Sequence, residues 1–333
     1  MKYNKRLSDN ELSEKLESAG AMLIRGAKGC GKTESAKQFA KTIVQVDTDD
    51  AVPEIMATNP KRLLMGQTPV LLDEWQVQPK LWNLVRHEVD ERALSAQFIL
   101  TGSANPEETV KMHSGAGRFT ILDMRTMSWQ ELGYSTGKIS LNDLLCGCKI
   151  DIYDEKTELE FIIEKIVVGG YPTCLNKSVN QSININNAYV ELLAEVDMSR
   201  VSGVRRDPVK VKNLLRSIAR NTATLADAST LAADIHEKEN SDISRPTIYA
   251  YLDCLRRLMI LEEQPAWSPH LRSSARLRKS AKLHFTDPCL SAAATGATEK
   301  QLLNDLKFAG FLFESLATHD LRVYAQANDA AVF

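Results

Sequence analysis

The residues with the clearest chemistry form one octapeptide near the start of the chain, Gly26-Ala27-Lys28-Gly29-Cys30-Gly31-Lys32-Thr33. It reads G-x-x-x-x-G-K-T, the pattern of the P-loop, whose backbone N–H groups cradle phosphates beside a helix N-terminus. In such loops the lysine reaches the β- and γ-phosphates, and the last hydroxyl ligates Mg²⁺. The pattern therefore predicts nucleotide contacts at a run of positions: Gly26, Ala27, Gly29, Cys30, Gly31, Lys32, Thr33 and Glu34.

Two adjacent carboxylates follow an apolar run further along the chain, in the segment Pro69-Val70-Leu71-Leu72-Asp73-Glu74. In this class of site the first carboxylate (Asp73) orders Mg²⁺, and the second (Glu74) polarises the attacking water. Taken alone, either motif has an ordinary alternative, an accidental Gly-rich turn for the first and a solvated strand end for the second. Both motifs in this order favour a nucleoside-triphosphate site.

Short apolar runs separated by helical patterns supply the elements that must position these residues. Runs that predict strands occur at 21–24, 43–47, 69–74, 97–103 and 119–122. Strands that alternate with helices predict an α/β fold with a parallel sheet and helices on both faces. The carboxyl ends of the strands should then carry the site.

Two more side chains could complete the chemistry. Ser103, with Thr101 as the alternative, ends the strand at 97–103 and could sense the γ-phosphate or the attacking water. A capped strand-to-loop turn explains either residue equally well. Arg118 could stabilise transition-state charge, in cis or on the nucleotide of a neighbouring copy. A surface arginine paired with an acid is the ordinary alternative for Arg118.

Length and composition limit the number of domains, the location of the protein and the role of its cysteines. The chain has 333 residues, enough for two or three domains, with 44% hydrophobic and 25% charged residues and a net charge of −2. No apolar stretch predicts a membrane span or a signal peptide, so a cytoplasmic location and no membrane partner are expected. The six cysteines form no C-x-x-C pair, which predicts free thiols rather than a metal site.

The segment from Arg200 to Lys282 holds 16 Lys/Arg against 9 Asp/Glu, so the remainder of the chain is acidic. A polyanion partner and a solvated face explain this surplus about equally well. Within the segment, patterns at 225–235 and 244–255 predict two helices, and a strand and a wing follow to residue 267. This order is typical of a winged helix, whose partner can be DNA or a protein.

The motifs together resemble the prokaryotic AAA-like ATP-binding proteins that carry a C-terminal domain of unknown function. Further pieces carry the resemblance beyond the nucleotide motifs: Gly102-Ser103, Ala116-Gly117-Arg118, Gly169-Gly170-Tyr171-Pro172, 282–288 and 310–314. The resemblance implies an ATPase core, a winged helix, and a C-terminal segment similar to restriction-endonuclease cores, partly α/β in character. The expected domains are an AAA-like P-loop domain at 1–135, a helical connecting region at 136–220, the winged helix at 221–285, and the nuclease-like segment at 286–333.

The chain departs from this pattern in the nuclease-like segment. A nuclease core of that type needs a glutamate, a second acid and a lysine to bind Mg²⁺ and position water. Glu314 could be the first of these, but only Asp320 and Asp329 follow as acids, and no lysine follows Lys307. The segment is either a truncated core or one that never had the site, and nuclease activity is not expected.

The sequence thus predicts ATP and Mg²⁺ as ligands and a Mg²⁺-dependent ATPase as the function, with catalytic roles for Lys32, Glu74, Ser103 and Arg118. The choice of ATP over GTP rests on the resemblance. The alternative is an ATP-gated DNA-binding regulator with negligible hydrolysis. A small-molecule kinase is disfavoured because the Asp73-Glu74 pair suits water activation. A homo-oligomer would be required if Arg118 acts in trans.

Overall fold

The computed structural model describes residues 3–102, 115–152, 157–267 and 281–333. These fall into two compact units, Met1–Arg125 and Thr126–Phe333. The expected boundary at residue 135, and the subdivision of the second unit into three domains, stay predictions.

The first unit alternates helices and strands. In chain order its elements are α1 (Ser8–Ser18), β1 (Ala21–Arg25), α2 (Lys32–Lys37), β2 (Thr42–Gln45), α3 (Ala51–Thr58), β3 (Val70–Asp73), α4 (Lys80–Arg92), β4 (Phe98–Gly102) and β5 (Phe119–Asp123), with 3₁₀ turns at Pro60–Leu64 and Trp75–Val77. The strands form one parallel sheet in the order β2-β3-β4-β1-β5. The predicted α/β fold class is confirmed.

Alternating side chains of the strands bury both faces of this sheet, as the strand period requires. Leu23 of β1 belongs to a core that includes Val52 of α3 and Val85 of α4. The next residue, Ile24, belongs to a second core that includes Leu12 of α1. The sheet is therefore covered by helices on both faces, as predicted, and a one-residue slip of any strand would exchange the two cores.

The strand order decides which side chains meet at the carboxyl edge of the sheet. β4 lies between β1 and β3, so Thr101 is in register with Ile24 on one side and Asp73 on the other. The P-loop follows β1 directly. Thr101 thus lies between the strand that leads into the loop and the strand that ends in the carboxylate.

The second unit is mainly helical, with one antiparallel strand pair. Its elements are α5 (Leu141–Leu145), α6 (Leu159–Val168), α7 (Val179–Leu192), α8 (Met198–Ser202), α9 (Pro208–Arg220), α10 (Ala228–Glu239), α11 (Arg245–Arg257), β6 (Leu261–Gln264), β7 (Lys282–Phe285), α12 (Pro288–Thr295), α13 (Glu299–Asn304) and α14 (Leu306–Gln326), with a 3₁₀ turn at Pro172–Cys174 and a π-helical turn at Leu193–Asp197. The helical region predicted after the sheet domain is confirmed.

Two details of this unit differ from expectation. The helix predicted from residue 225 begins at Ala228, because the carboxylate of Asp227 accepts the Thr230 N–H at 2.8 Å and caps it. Residues 286–333 contain helices and no strand, so the expected partial α/β character of this segment is absent. Glu314 lies within α14 and pairs with Lys282.

The Gly169-Gly170 pair is explained by close packing. A Cβ atom on Gly170 would lie 2.1 Å from the carbonyl oxygen of Met127, and one on Gly169 would lie 2.5 Å from Sγ of Cys289. The N–H of Gly170 donates to the Asp287 carboxylate at 2.8 Å, and its carbonyl accepts the Met127 N–H at 2.8 Å. Glycine is needed at both positions because backbone and side chains of the neighbouring segments occupy the space of a side chain.

No helix in the described ranges is both long enough and apolar enough to cross a membrane.

A buried histidine joins β7 to α14. Nδ1 of His284 lies 3.0 Å from the Ser315 hydroxyl, and Nε2 lies 3.0 Å from Oε1 of Gln264. Burial, reinforced by the positive charge of Arg322, lowers the pKa of His284 from 6.5 to about 4. The imidazole is therefore neutral in the folded protein at pH 7.

We expect this histidine to make the second unit sensitive to acid. Between pH 6.5 and about 4, His284 is protonated in the unfolded chain but neutral in the folded protein. The free energy of unfolding therefore falls as the pH falls through this range. The contribution of His284 to the free energy of unfolding that is lost across this pH range is up to about 3 kcal/mol. Denaturant titrations at pH 7.5 and 5 should show a smaller difference for His284→Gln than for the parent. Equal differences in both proteins would contradict this assignment.

Candidate functional site

The loop between β1 and α2 has the backbone that its glycines permit. Gly29 and Gly31 adopt left-handed conformations, with φ of 78° and 108°. Gly26 has no room for a side chain, since a Cβ atom there would lie 2.1 Å from the carbonyl oxygen of Met124. The loop is thus wound tightly against the end of β5, with the geometry that a phosphate-binding turn needs.

Lys32 is a nearly buried cation that contacts backbone carbonyls of the loop. The residue is 5% exposed, and its ammonium donates to the carbonyl oxygens of Gly26 and Ala27, each at 2.9 Å. No carboxylate in the described part of the chain forms an ion pair with it. Because a buried charge is stabilised far better by an opposite charge than by carbonyl dipoles, this ammonium is prepared to receive an anion.

Asp73 accepts hydrogen bonds from two hydroxyl groups at the carboxyl edge of the sheet. Its Oδ1 accepts hydrogen bonds from Thr33 at 2.8 Å and from Thr101 at 2.5 Å, and the residue is 7% exposed. Carboxylate and hydroxyl oxygens are the ligands that Mg²⁺ prefers, and Mg²⁺ usually takes only one or two carboxylates plus phosphate oxygens and waters. The residues present therefore fit this ion. No cluster of three or more His, Cys, Asp or Glu side chains suited to a metal occurs among the residues that the structure describes.

Glu74 is held by a neighbouring amide. Its backbone is left-handed, with φ of 53°, and its carboxylate accepts a hydrogen bond from Nε2 of Gln76. Gly102 leaves room for this position of Gln76, since a Cβ atom there would lie 2.5 Å from Oε1 of Gln76. The sequence places a glutamine two residues after Glu74, but only the structure shows that the two side chains meet.

The side chains of Cys30 and Glu34 have other partners. The Cys30 thiol is fully buried and lies 3.5 Å from the Met124 carbonyl oxygen. Glu34 forms an exposed ion pair with Lys37 at 2.7 Å. Their predicted nucleotide contacts are therefore ones that backbone N–H groups would make.

Of the two remaining predicted catalytic residues, the structure describes only Arg118. Ser103 lies outside the described residues, whereas its alternative, Thr101, is part of the site. Arg118 precedes β5, whose first residue, Phe119, is in register with the first residue of β1, Ala21. Arg118 therefore lies at the amino edge of the sheet, roughly 15 Å from the carboxyl edge at about 3.3 Å per strand residue.

This position excludes the expected cis role of Arg118. Its guanidinium donates two hydrogen bonds to the Asp90 carboxylate, at 2.9 and 3.3 Å. The hydrogen bond from Arg118 lowers the pKa of Asp90 below its ordinary value. The acid-paired arginine that the sequence left as the ordinary alternative is thus what the structure contains.

Two family models match separate parts of the chain. Residues 18–133 match a model described as an AAA domain. Residues 159–301 match a model described as a domain of unknown function (DUF8612). The first match spans the sheet, the P-loop and the Asp73-Glu74 pair. The first unit is AAA-like. The second match covers much of the helical unit and assigns no activity to it.

The curated relatives carry no assigned function. The chain is 22% identical over 327 residues to the uncharacterized protein Rv2008c of Mycobacterium tuberculosis and, equally, to the uncharacterized protein Mb2031c of Mycobacterium bovis. These matches cover 95% of the chain and 66% of each relative. The chain thus spans slightly less than two thirds of the length of the relatives it matches.

Among solved structures, the ORC2 protein of Aeropyrum pernix, in complexes with ADPNP and ADP, is similar at a TM-score of 0.36 and 15% identity. The similarity covers 90% of this chain and 91% of that one. A TM-score this low is too weak to indicate a shared fold.

The hydrogen bond from Thr101 to Asp73 should stabilise the first unit. Thr101→Val preserves side-chain shape but removes one of the two hydroxyl donors to a nearly buried carboxylate. We expect the free energy of unfolding, measured by urea denaturation, to fall by about 1–3 kcal/mol. Thr101→Ser, which keeps the hydroxyl, should recover most of this loss. A valine variant as stable as the parent would show that the bond contributes nothing.

Proposed function

We propose that this protein binds ATP together with Mg²⁺ in the first unit and hydrolyses it. The observation that carries the proposal is the buried ammonium of Lys32, which loop carbonyls alone hold among the residues that the structure describes. Thr33 follows it directly, and its hydroxyl reaches Asp73. A buried cation beside a hydroxyl–carboxylate pair, at the end of a glycine-rich loop, suits a polyphosphate. The AAA domain match supports the same conclusion. The choice of ATP rests on the family resemblance.

Each residue of the carboxyl edge takes one role in this proposal. Lys32 leaves the carbonyl oxygens of Gly26 and Ala27 and binds the β- and γ-phosphates. Thr33 and Asp73 hold Mg²⁺, which supplies charge neutralisation of the phosphate oxygens when bound. Thr101 keeps the Asp73 carboxylate oriented between strands β3 and β4.

Glu74 is the proposed base that polarises the attacking water. In the structure its carboxylate accepts a hydrogen bond from Gln76, so one of its oxygens is already engaged. Gln76 therefore fixes the direction of this carboxylate. Ser103 stays the proposed sensor of the γ-phosphate.

Arg118 can serve only on the nucleotide of a neighbouring copy, because it lies at the opposite edge of its own sheet. A homo-oligomer is a part of the proposal for that reason. A cytoplasmic location likewise stays a prediction.

The first test compares the parent with Glu74→Gln. The substitution preserves shape but removes the base, so the rate of phosphate release from Mg·ATP should fall at least about 100-fold. The dissociation constant for ATP, measured by calorimetry, should change by less than about threefold, since Glu74 does not hold the phosphates.

Two further variants serve as controls for this test. Glu17→Gln, an exposed substitution at the end of α1, should retain full turnover. Lys32→Ala should lose ATP binding itself. Turnover that survives in Glu74→Gln would remove Glu74 from the mechanism, and a parent that binds no ATP would refute the proposed function.

A second candidate function, the ATP-gated DNA-binding regulator, is favoured by the arrangement of part of the second unit. α10 packs against α9 and α11, and the antiparallel pair β6–β7 follows, in the order of a winged helix. α11 begins at the N-cap Ser244 and exposes Arg245 and Tyr249 near its N-terminus. In DNA-binding winged helices this part of the second helix reaches base edges. The basic surplus of 200–282 points the same way, whereas the exposed Asp253 on the same helix suits a protein partner.

Duplex DNA distinguishes these candidates. A regulator should bind duplex DNA with an affinity that falls steeply with salt, and ATP should change that affinity without turnover. The double variant Arg245→Ala/Tyr249→Ala should weaken binding at least about tenfold. Lys61→Ala, which removes a cation of the first unit, is the matched control. Salt-independent or absent DNA binding would exclude the regulator and leave a protein as the partner of this surface.

A further inference from the structure

A second buried cation contacts the P-loop, and it comes from the segment before α1. Arg6 is 5% exposed, and its guanidinium donates to the carbonyl oxygen of Cys30 at 2.9 Å. The same guanidinium donates to the carbonyl oxygen of Arg125, also at 2.9 Å. Arg6 thus ties the middle of the loop to the segment that follows β5.

The position of Arg6 is itself fixed by a chain of hydrogen bonds. The backbone N–H of Arg6 donates to Oδ2 of Asp9 at 2.9 Å. Oδ1 of Asp9 accepts a hydrogen bond from the Tyr3 hydroxyl at 2.7 Å. The Tyr3 hydroxyl lies 2.9 Å from that of Ser35, a fully buried residue of α2. The segment before α1 therefore holds both the loop and the helix that follows it.

The hydrogen bond to Cys30 determines where the next N–H group points. The peptide between Cys30 and Gly31 is planar and trans, so its C=O and N–H point in opposite directions. Arg6 fixes the direction of this oxygen, so the Gly31 N–H points away from Arg6. A cation at the oxygen also polarises the peptide and strengthens its N–H as a donor.

We propose that Arg6 is a positioning residue for the phosphate chain of the nucleotide. It orients the Cys30–Gly31 peptide so that the N–H faces the phosphates. This role rests on the proposed ATP binding. Arg6 touches neither the nucleotide nor the reacting atoms, and it acts through the loop.

The test measures binding of Mg·ATP and of inorganic triphosphate, the phosphate chain alone, to the full chain by calorimetry. Arg6→Ala should weaken both ligands by the same factor, about tenfold, because the loss lies in the phosphate cradle. Arg6→Lys, which can still reach one carbonyl, should recover most of the affinity. The turnover rate at saturating ATP should fall less than the affinity does, since Arg6 acts before chemistry.

Arg92 supplies the matched control. It is also a partly buried arginine of the first unit that donates to a backbone carbonyl, that of Leu64 at 3.0 Å, but it lies at the amino edge of the sheet. Arg92→Ala should lower the melting temperature while both dissociation constants stay unchanged. If Arg6→Ala does not fold, Arg6→Lys against Arg92→Lys makes the same comparison, with a loss of about threefold expected only for the former.

The possible failures are distinguishable. A parent that binds neither ATP nor triphosphate refutes the proposed function, and this inference with it, before any variant is made. A parent that binds both, with Arg6 variants of unchanged affinity, overturns the role of Arg6 alone. An equal loss of affinity in the Arg6 and Arg92 variants would also overturn it, because the effect would then follow stability rather than loop geometry.

Discussion

The arrangement of the first unit depends on one carboxylate oxygen that receives two hydroxyl groups. Oδ1 of Asp73 accepts from Thr33, on the helix after the P-loop, and from Thr101, on the strand between β1 and β3. Three separate segments therefore converge on one atom. This convergence is possible only because all five strands are parallel and β4 is central in their order, so that their carboxyl ends share one edge. The same edge brings Lys32 and Glu74 within the same small region of the fold.

Charge balance at this edge explains why the site is suited to an anion. Lys32 and Arg6 are both nearly buried, and both donate to carbonyl oxygens of the loop. Carbonyl dipoles compensate the buried ammonium of Lys32 only partly, so an anion that enters the loop would gain a favourable charge there.

Much of this could be predicted from the sequence, because the decisive features are local. The G-x-x-x-x-G-K-T spacing and the apolar run that ends in Asp73 specify strand–loop–helix and strand–carboxylate units without reference to anything distant. The position of Arg118 could not be predicted, because it depends on where β5 begins relative to β1. The contacts of Arg6 with the P-loop and of Gln76 with Glu74 could not be predicted either, because sequence spacing does not determine which side chains meet. In the second unit, the absence of strands after Phe285 contradicts the partly α/β segment that the family resemblance implied. The Ser244 cap of α11 could be predicted, because it follows from local propensity.

The most direct test of the central claim is a crystal structure with Mg²⁺ and a non-hydrolysable ATP analogue. The account predicts that Nζ of Lys32 leaves the carbonyl oxygens of Gly26 and Ala27 and bonds to the phosphates. It also predicts a metal ion beside Thr33 and Asp73, and an unbroken hydrogen bond from Arg6 to Cys30. A structure in which the analogue binds elsewhere, or in which Lys32 keeps both carbonyl partners while the analogue is bound, would contradict the account.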